Sequence, residues 1–301
     1  MLHIDPKAIA TRDLHQFILG TVAPRPIAFV STIDAEGRPN LAPYSFFNAF
    51  SSNPPIVVFS SNRRVTDNTT KDTLHNIRAT GEAVINMVNY AIVRQMAVCS
   101  VEFPAGVSEF EQSGLTPIPS EVVRPPRVKE SPAHLECKVR DIITLGEHGG
   151  AGHLIICEVV CLHISEEVVD ERGRIDPHKI DLMGRLGRAY YVRASGDAVY
   201  TIVQPVTKMV IGYPSLPEHV RHSRVLTGNH IGLLAGLHEV PTRAQVMELV
   251  ETDARVRAIL DQGGDVIEAL HRYAAELLDR KVPEREKAGM VVWIPEYLKQ
   301  A

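Results

Sequence analysis

The chain has 301 residues, 45% of them hydrophobic and 23% charged, with a formal net charge of −4. That composition suits one large or two modest globular domains. The acidic balance argues against nucleic-acid or anionic-membrane partners, which need a basic surface. No run of ~20 apolar residues offers a membrane span. The N-terminal stretch MLHIDPKAIATRDLH lacks the apolar core of a signal peptide. Cys99, Cys137, Cys157 and Cys161 form no CxxC and read as buried thiols of a reducing compartment. A cytoplasmic protein is expected.

Residues 1–20 predict a short helical lead-in, with Thr11 as cap, Leu14, Phe17, Ile18 and Leu19 as its apolar residues, and Gly20 as its end. Three apolar runs follow, at 26–33, 40–47 and 55–60. The turn Asp34-Ala35-Glu36-Gly37 joins the first two as antiparallel strands. Pro43 makes the second an edge or bulged strand, and Asn53-Pro54-Pro55 is a hard break before the third. The ends of these runs carry small polar and aromatic groups: Ser31-Thr32, Ser45-Phe46-Phe47-Asn48 and Ser60-Ser61. Strands ending this way present backbone and hydroxyl groups to a ligand.

After a polar loop at 62–70, Lys71-Asp72-Thr73 opens a helix that contains Leu74, Ile77 and Arg78 and ends at Gly81. A lysine and a hydroxyl at a helix N-terminus make an anion site, and a plain N-cap by Asp72 explains the same residues equally well. A strand is expected at 82–88 and a helix at 89–98. Residues 103–133, with six prolines, read as a surface excursion long enough for a lid or a dimer arm. The strongest strand pair is 134–145 with 153–169, joined by a glycine-dense hairpin loop. After Tyr190-Tyr191 the composition shifts. Residues 200–230 read as irregular, with Pro205, Pro214 and Pro217. From Thr242 to about Lys281 the pattern is helical, with a Thr242/Gln245 capping box and a last helix capped by Asp265. The expected domains are 1–199, mainly β, and 200–301, mostly helical.

No GxGxxG, GxxxxGK[ST] or GxSxG motif occurs. His153, Cys157, Cys161 and His163 alternate onto one strand face, yet residues four apart lie ~13 Å apart along a strand. They cannot share one zinc with ligand bonds of ~2.0–2.3 Å, so no metal is expected. His153, at a strand start beside a flexible loop, is either structural or within reach of a ligand.

The stretch RPIAFVSTIDAEGRPNLAPYSFFNAFSSNPPIVVFSS, followed by KDTLHNI, EAVINMV and a Gly-His opening a late strand, resembles the flavin reductase-like proteins of the FMN-binding split-barrel fold. The likeness spans roughly residues 10–195. It implies a mainly β chain, an antiparallel six-stranded split barrel with flanking helices, here with a C-terminal helical extension. It also implies a homodimer holding FMN, or FAD, near the subunit interface, with NAD(P)H as co-substrate and hydride transfer to flavin N5. The cofactor residues it implies are Ser31, Thr32, Ser45, Phe46, Phe47, Asn48, Ser60 and Ser61 around the isoalloxazine. Lys71, Asp72 and Thr73 serve the phosphate, and Arg185 and Tyr190 come from a late segment beside the cofactor. His153 is the implied catalytic residue, at the flavin edge or the nicotinamide. A monooxygenase that receives reduced flavin is the implied partner. Two other roles stay open: reduction or oxygenation of the chain's own small organic substrate, and electron carriage without turnover.

Overall fold

The computed structural model describes residues 1–104, 106–202 and 208–299. The chain divides into two compact units, Met1–Tyr200 and Thr201–Ala301.

The first unit runs α1 (Thr11–Thr21), β1 (Ala28–Ile33), β2 (Pro39–Tyr44), β3 (Phe47–Ser52), β4 (Pro55–Asn62), α2 (Asp72–Thr80) and β5 (Glu82–Met87). Then come α3 (Val93–Val98), α4 (Glu109–Ser113), the small hairpin β6 (Pro117–Ile118) and β7 (Arg127–Val128), and the long strands β8 (Ala133–Thr144) and β9 (Gly152–Ile164). Helix α5 (Pro177–Ile180) and the ribbon β10 (Met183–Arg185) with β11 (Tyr191–Arg193) complete it.

Seven strands form one antiparallel sheet in the order β2-β1-β5-β8-β9-β4-β3, where six were expected. The difference arises at Ser45-Phe46. The run expected as one strand splits there into β2 and β3, which take opposite ends of the strand order although two residues separate them. Pro43 lies in β2, an edge strand, where a missing ladder donor costs least. Strand β9 ends at Ile164 rather than 169, and the chain turns into a short 3-10 segment capped by Ser165.

All six residues of β1 are buried, and its period-2 alternation splits the core in two. Ala28 and Val30 pack with Leu74 and Ile77 of α2 and with Phe59, Ile85 and Ile155. Phe29 packs on the other side with Leu41, Ile92, Met96, Phe110 and Val128. Fully burying one such side chain contributes roughly 1.5–3 kcal/mol. Gly81 ends α2 at φ +69, a left-handed conformation that favours glycine. The excursion after residue 103 is held against the sheet. The Glu136 carboxylate accepts N–H bonds from Glu121, Val122 and Val123, and the Asn86 carboxamide oxygen accepts one from Val128.

The second unit is helical: α6 (Glu218–Arg221), α7 (Gly228–Ala235), α8 (Arg243–Thr252), α9 (Ala254–Gln262), α10 (Val266–Leu278) and α11 (Arg285–Leu298). The Thr242/Gln245 capping box and the Asp265 cap are present. Helices α7 and α11 were not expected. In α7 the capping box uses His230 where Glu or Gln is usual, and Gly228 and Gly232 weaken the helical signal. In α11 Val291, Val292, Trp293, Ile294 and Pro295 are buried in succession, so no 3.6-residue period is visible and Pro295 reads as a breaker. Pro205, read as one of the breakers of 200–230, lies outside the described residues. No helix among the described residues is long and apolar enough to cross a membrane.

A buried polar chain runs through this unit. The His271 imidazole stacks on His219 at 5.1 Å, with Nε2 2.9 Å from His219 Nδ1 and Nδ1 2.9 Å from the Ser223 hydroxyl. Desolvation, and then the neighbouring His219, push His271 down to about 4 against the opposing pull of Asp265 and Glu268. His219 is lowered too, first by burial, with Glu296 opposing and Lys299 reinforcing. Between about 4 and about 6.5 the unfolded chain therefore binds more protons than the folded one. The stability that neutral His271 confers is complete above about pH 6.5 and is lost as pH falls toward 4, by roughly 3 kcal/mol at most. Trp293, the single tryptophan and buried in this unit, reports the transition. The urea midpoint of Trp293 fluorescence is expected to drop between about pH 7 and about pH 4.5, and to drop less in His271→Gln. An equal drop in the variant would contradict the assignment.

Candidate functional site

The first unit carries an apolar cleft of about 800 Å³. One wall is α1 and the chain after it, through Leu14, His15, Ile18, Val22, Pro24 and Pro26. The β3–β4 pair provides Phe47, Asn48, Phe50, Val58 and Ser60, and the strand break adds Ser45 and Phe46. The ring of His15 meets Phe46 edge-on at 6.1 Å. Beyond β4, Gly152 and Leu154 of β9 continue the surface, because Asn62 pairs with Gly152 and Ser60 with Leu154. A Cβ on Gly152 would lie 2.5 Å from the Ser60 hydroxyl oxygen, so any other residue there displaces that hydroxyl. The β8–β9 loop is strapped to the same edge: Arg63 N–H donates to the Ala151 carbonyl at 2.8 Å, and the Asn62 side chain donates to that of Gly150 at 3.1 Å.

Four cationic residues line this cleft, Arg25, Arg63, Arg64 and Lys71, and no carboxylate among the described residues does. Lys71 is the N-cap residue of α2, and no side chain caps the first turn of that helix. Burial, and then the adjacent Arg64, hold the Lys71 ammonium below its usual range. Its Nζ sits 5.0 Å from the Tyr44 ring centroid. Arg64 is paired with Glu102 at 2.6 Å, and Arg63 bonds Asn68 at 2.8 Å. Arg25 is nearly fully buried and donates to the carbonyls of Leu19 and Leu186 at 2.7 and 3.2 Å. Burial, and then Arg185, lower its affinity for its proton. Its Nε donates to the Ser45 hydroxyl at 3.5 Å.

Of the residues singled out from the sequence, Ser45, Phe46, Phe47, Asn48, Ser60 and Lys71 come together on this cleft. The others do not line it. Ser61 and His153 are paired across β4 and β9 and point to the opposite face from Ser60 and Leu154. Both are buried, and His153 Nδ1 meets the Ser61 carbonyl at 3.0 Å. Ser31 is buried and donates to the Pro126 carbonyl. The Thr32 hydroxyl accepts from Asn76 and the Thr73 hydroxyl from Asn40, each at 3.0 Å, which ties α2 to β1 and β2. Asp72 lies instead on a separate small cavity with Asp34 and Arg38. Arg185 stacks 4.5 Å over Tyr191 and lines a neighbouring cavity of about 180 Å³ that shares Ser45. Tyr190 is exposed.

Sequence reasoning missed α1 as a wall and missed Arg63 and Arg64. The apolar spacing of Leu14 and Ile18 was visible, but nothing local said what that helix faces. An Arg-Arg pair just past an apolar strand was the available signal for the basic rim.

A model described as the flavin reductase like domain matches residues 20–180. Among solved structures, component B of the nitrilotriacetate monooxygenase from Bacillus cereus is 35% identical, with a TM-score of 0.60 over 64% of this chain and 95% of its own. The 2-nitrobenzoate 2-nitroreductase of Pseudomonas fluorescens is 32% identical, with a TM-score of 0.58 over 67% of this chain and 97% of its own. A flavin reductase with a split barrel domain from Shewanella frigidimarina is 28% identical, with a TM-score of 0.58 over 68% of this chain and 100% of its own. With the domain match covering more than half of its length and a mainly β sheet flanked by helices, the chain belongs to the flavin reductase-like family.

Proposed function

We propose that this chain is a flavin-dependent oxidoreductase that holds FMN in the cleft and uses NAD(P)H as its hydride donor. The observation that carries this reading is the cleft's polarity: an apolar body with four cations and no carboxylate among its described lining. FMN has the matching distribution, a flat apolar tricycle joined to a phosphate of about two negative charges.

In this reading Lys71, Arg63 and Arg64 hold the phosphate. Phe46, Phe47, Val58 and Leu154 cover the ring faces, and Ser45, Asn48, Ser60 and Asn62 offer hydrogen bonds to its polar edge. When bound, the flavin supplies the redox chemistry, taking up a hydride and passing the electrons on. The protein's part is to bind, orient and exclude water. Tyr44, pushed up to about 12 by desolvation first, stays a neutral phenol at physiological pH. Buried His153 supports the β4–β9 pair and is not assigned a catalytic role.

The flavin domain is assigned to 1–199 and the helical extension to 200–301. A homodimer belongs to this reading, since Ile143, Val160, Leu162 and Ile164 of β8 and β9 are exposed apolar residues. Similarity to a protein named component B of a monooxygenase supports delivery of reduced flavin to a partner monooxygenase. Similarity to a protein named a 2-nitrobenzoate 2-nitroreductase supports a second reading, reduction of an anionic aromatic substrate on the protein itself.

Lys71→Met is expected to weaken FMN about 10- to 100-fold, the loss of one charge-assisted bond. Riboflavin, which lacks the phosphate, should bind both proteins alike in a fluorescence titration; equal losses for the two ligands would remove Lys71 from the phosphate. Anaerobic NADH or NADPH is expected to bleach the flavin absorbance of the loaded protein. Steady-state oxidation with free FMN as sole acceptor distinguishes the two readings: fast turnover fits the reductase, and turnover only with a nitroaromatic carboxylate fits the second. No bleaching by either nucleotide would refute both.

A further inference from the structure

A second cluster lies toward the far end of β9 from the cleft. Cys161 and His163 are two residues apart, hence on one side of the strand, with Sγ 3.4 Å from Nε2. Their cross-strand partners on β8 are Glu136 and His134. Glu121, from the loop between β6 and β7, brings its carboxylate 3.9 Å from His163 Nδ1. One ligand atom from each of Glu121, Cys161 and His163 lies within 4.8 Å of the other two. Two ligand bonds of about 2.0–2.3 Å reach about 4.6 Å at most, so a shared ion needs these side chains to close in by a small rotamer shift.

The surrounding imidazoles are braced as metal ligands usually are. His163 Nε2 donates to the fully buried Glu136 carboxylate at 2.7 Å. That carboxylate is fixed in turn by the N–H groups of Glu121, Val122 and Val123. His134 Nε2 donates to the Val128 carbonyl at 2.7 Å, which leaves Nδ1 as a lone pair. This Nδ1 is buried and has no partner, and the His134 side chain lines the same polar recess as His163. A carboxylate or carbonyl behind the N–H, setting the tautomer, is the usual support of a metal-bound histidine. Two of the cations of that recess are engaged elsewhere: Arg127 donates to the Pro119 carbonyl and Lys179 to that of Val169.

We propose that Glu121, Cys161 and His163 bind a Zn²⁺ ion, with Glu136 as a positioning residue. Thiolate, imidazole and carboxylate together favour zinc over the hard cations magnesium and calcium. On ligation the Cys161 thiol releases its proton to solvent. Three protein ligands leave one position for water. His153, Cys157 and Cys161, at four-residue spacing along β9, stay too far apart to share an ion. The cluster escapes that limit by using a two-residue spacing and a loop residue that no strand period connects. The site stands apart from the flavin reading and does not depend on it.

The test uses the full chain, stripped with a chelator and titrated with Co²⁺ and then Zn²⁺. About one equivalent of Co²⁺ should give a thiolate-to-cobalt charge-transfer band, which Zn²⁺ then abolishes. Cys161→Ser should lose the band, while Cys99→Ser, a buried thiol elsewhere in the unit, keeps it. Glu121→Gln changes an exposed side chain and leaves the sheet intact. In competition with a chelating dye it should weaken Zn²⁺ by more than the about 10- to 100-fold typical of losing an outer partner. A band that survives in Cys161→Ser, unchanged affinity in Glu121→Gln, or a wild-type chain that takes up neither ion would each overturn the proposal.

Discussion

The cleft depends on one buried guanidinium. Arg25 reaches the carbonyls of Leu19 and Val22 at the end of α1 and that of Leu186 in the turn between β10 and β11. Its backbone also exchanges two hydrogen bonds with Arg185. It thereby joins the helix that walls the cleft to a ribbon some 160 residues later in the chain. Burying a charge is costly unless its hydrogens are satisfied. Here the converging carbonyls satisfy it, and their own loss would be expensive, since each orphaned buried acceptor costs about 1–3 kcal/mol. Lysine could not replace it, because a single ammonium cannot span three carbonyls set apart in a planar fork.

Around that anchor, the strand break at Ser45-Phe46 does the rest. It places one continuous segment at both ends of the strand order, and the Phe46 carbonyl accepts from Ser60 N–H at 2.8 Å. The polar and aromatic groups of the break are thus turned toward the same recess as the end of β4. A strand with uninterrupted pairing would have kept them on one sheet edge, without the recess.

Much of this was legible in the chain: the turn glycines, the edge proline, the helix opened by Lys71, and the long β8–β9 pair all follow from local rules. Ser45, Phe46, Phe47, Asn48, Ser60 and Lys71 were found because strand ends and a helix N-terminus announce themselves in composition. What the residues could not reveal was parity. Ser60 and Ser61 are chemically identical neighbours, yet one faces the cleft and the other the β-core beside His153. Which alternate faces a ligand depends on what covers each side of the sheet, and that is a tertiary fact. The same limit hid α11, whose buried residues follow one another without period. Net charge is silent on such local concentration, for a chain of formal charge −4 gathers four cations on one recess.

Strand β9 shows how one periodic pattern serves two unlike environments. His153, Ile155 and Cys157 are buried, whereas Cys161 and His163, on the same alternation, are only half-buried. The pairing with β8 shifts register between Glu136 and Cys137 and again between Val139 and Asp141. Each bulge adds local twist and turns the strand relative to its neighbours. A face that is core beside the cleft therefore becomes accessible at the far end, where the loop carrying Glu121 folds over it. Polar side chains that would be a liability in the core can collect there, because Glu136 and the loop's N–H groups neutralise each other's burial cost. The strand's chemistry is divided not by sequence pattern but by where the sheet twists out from under its cover.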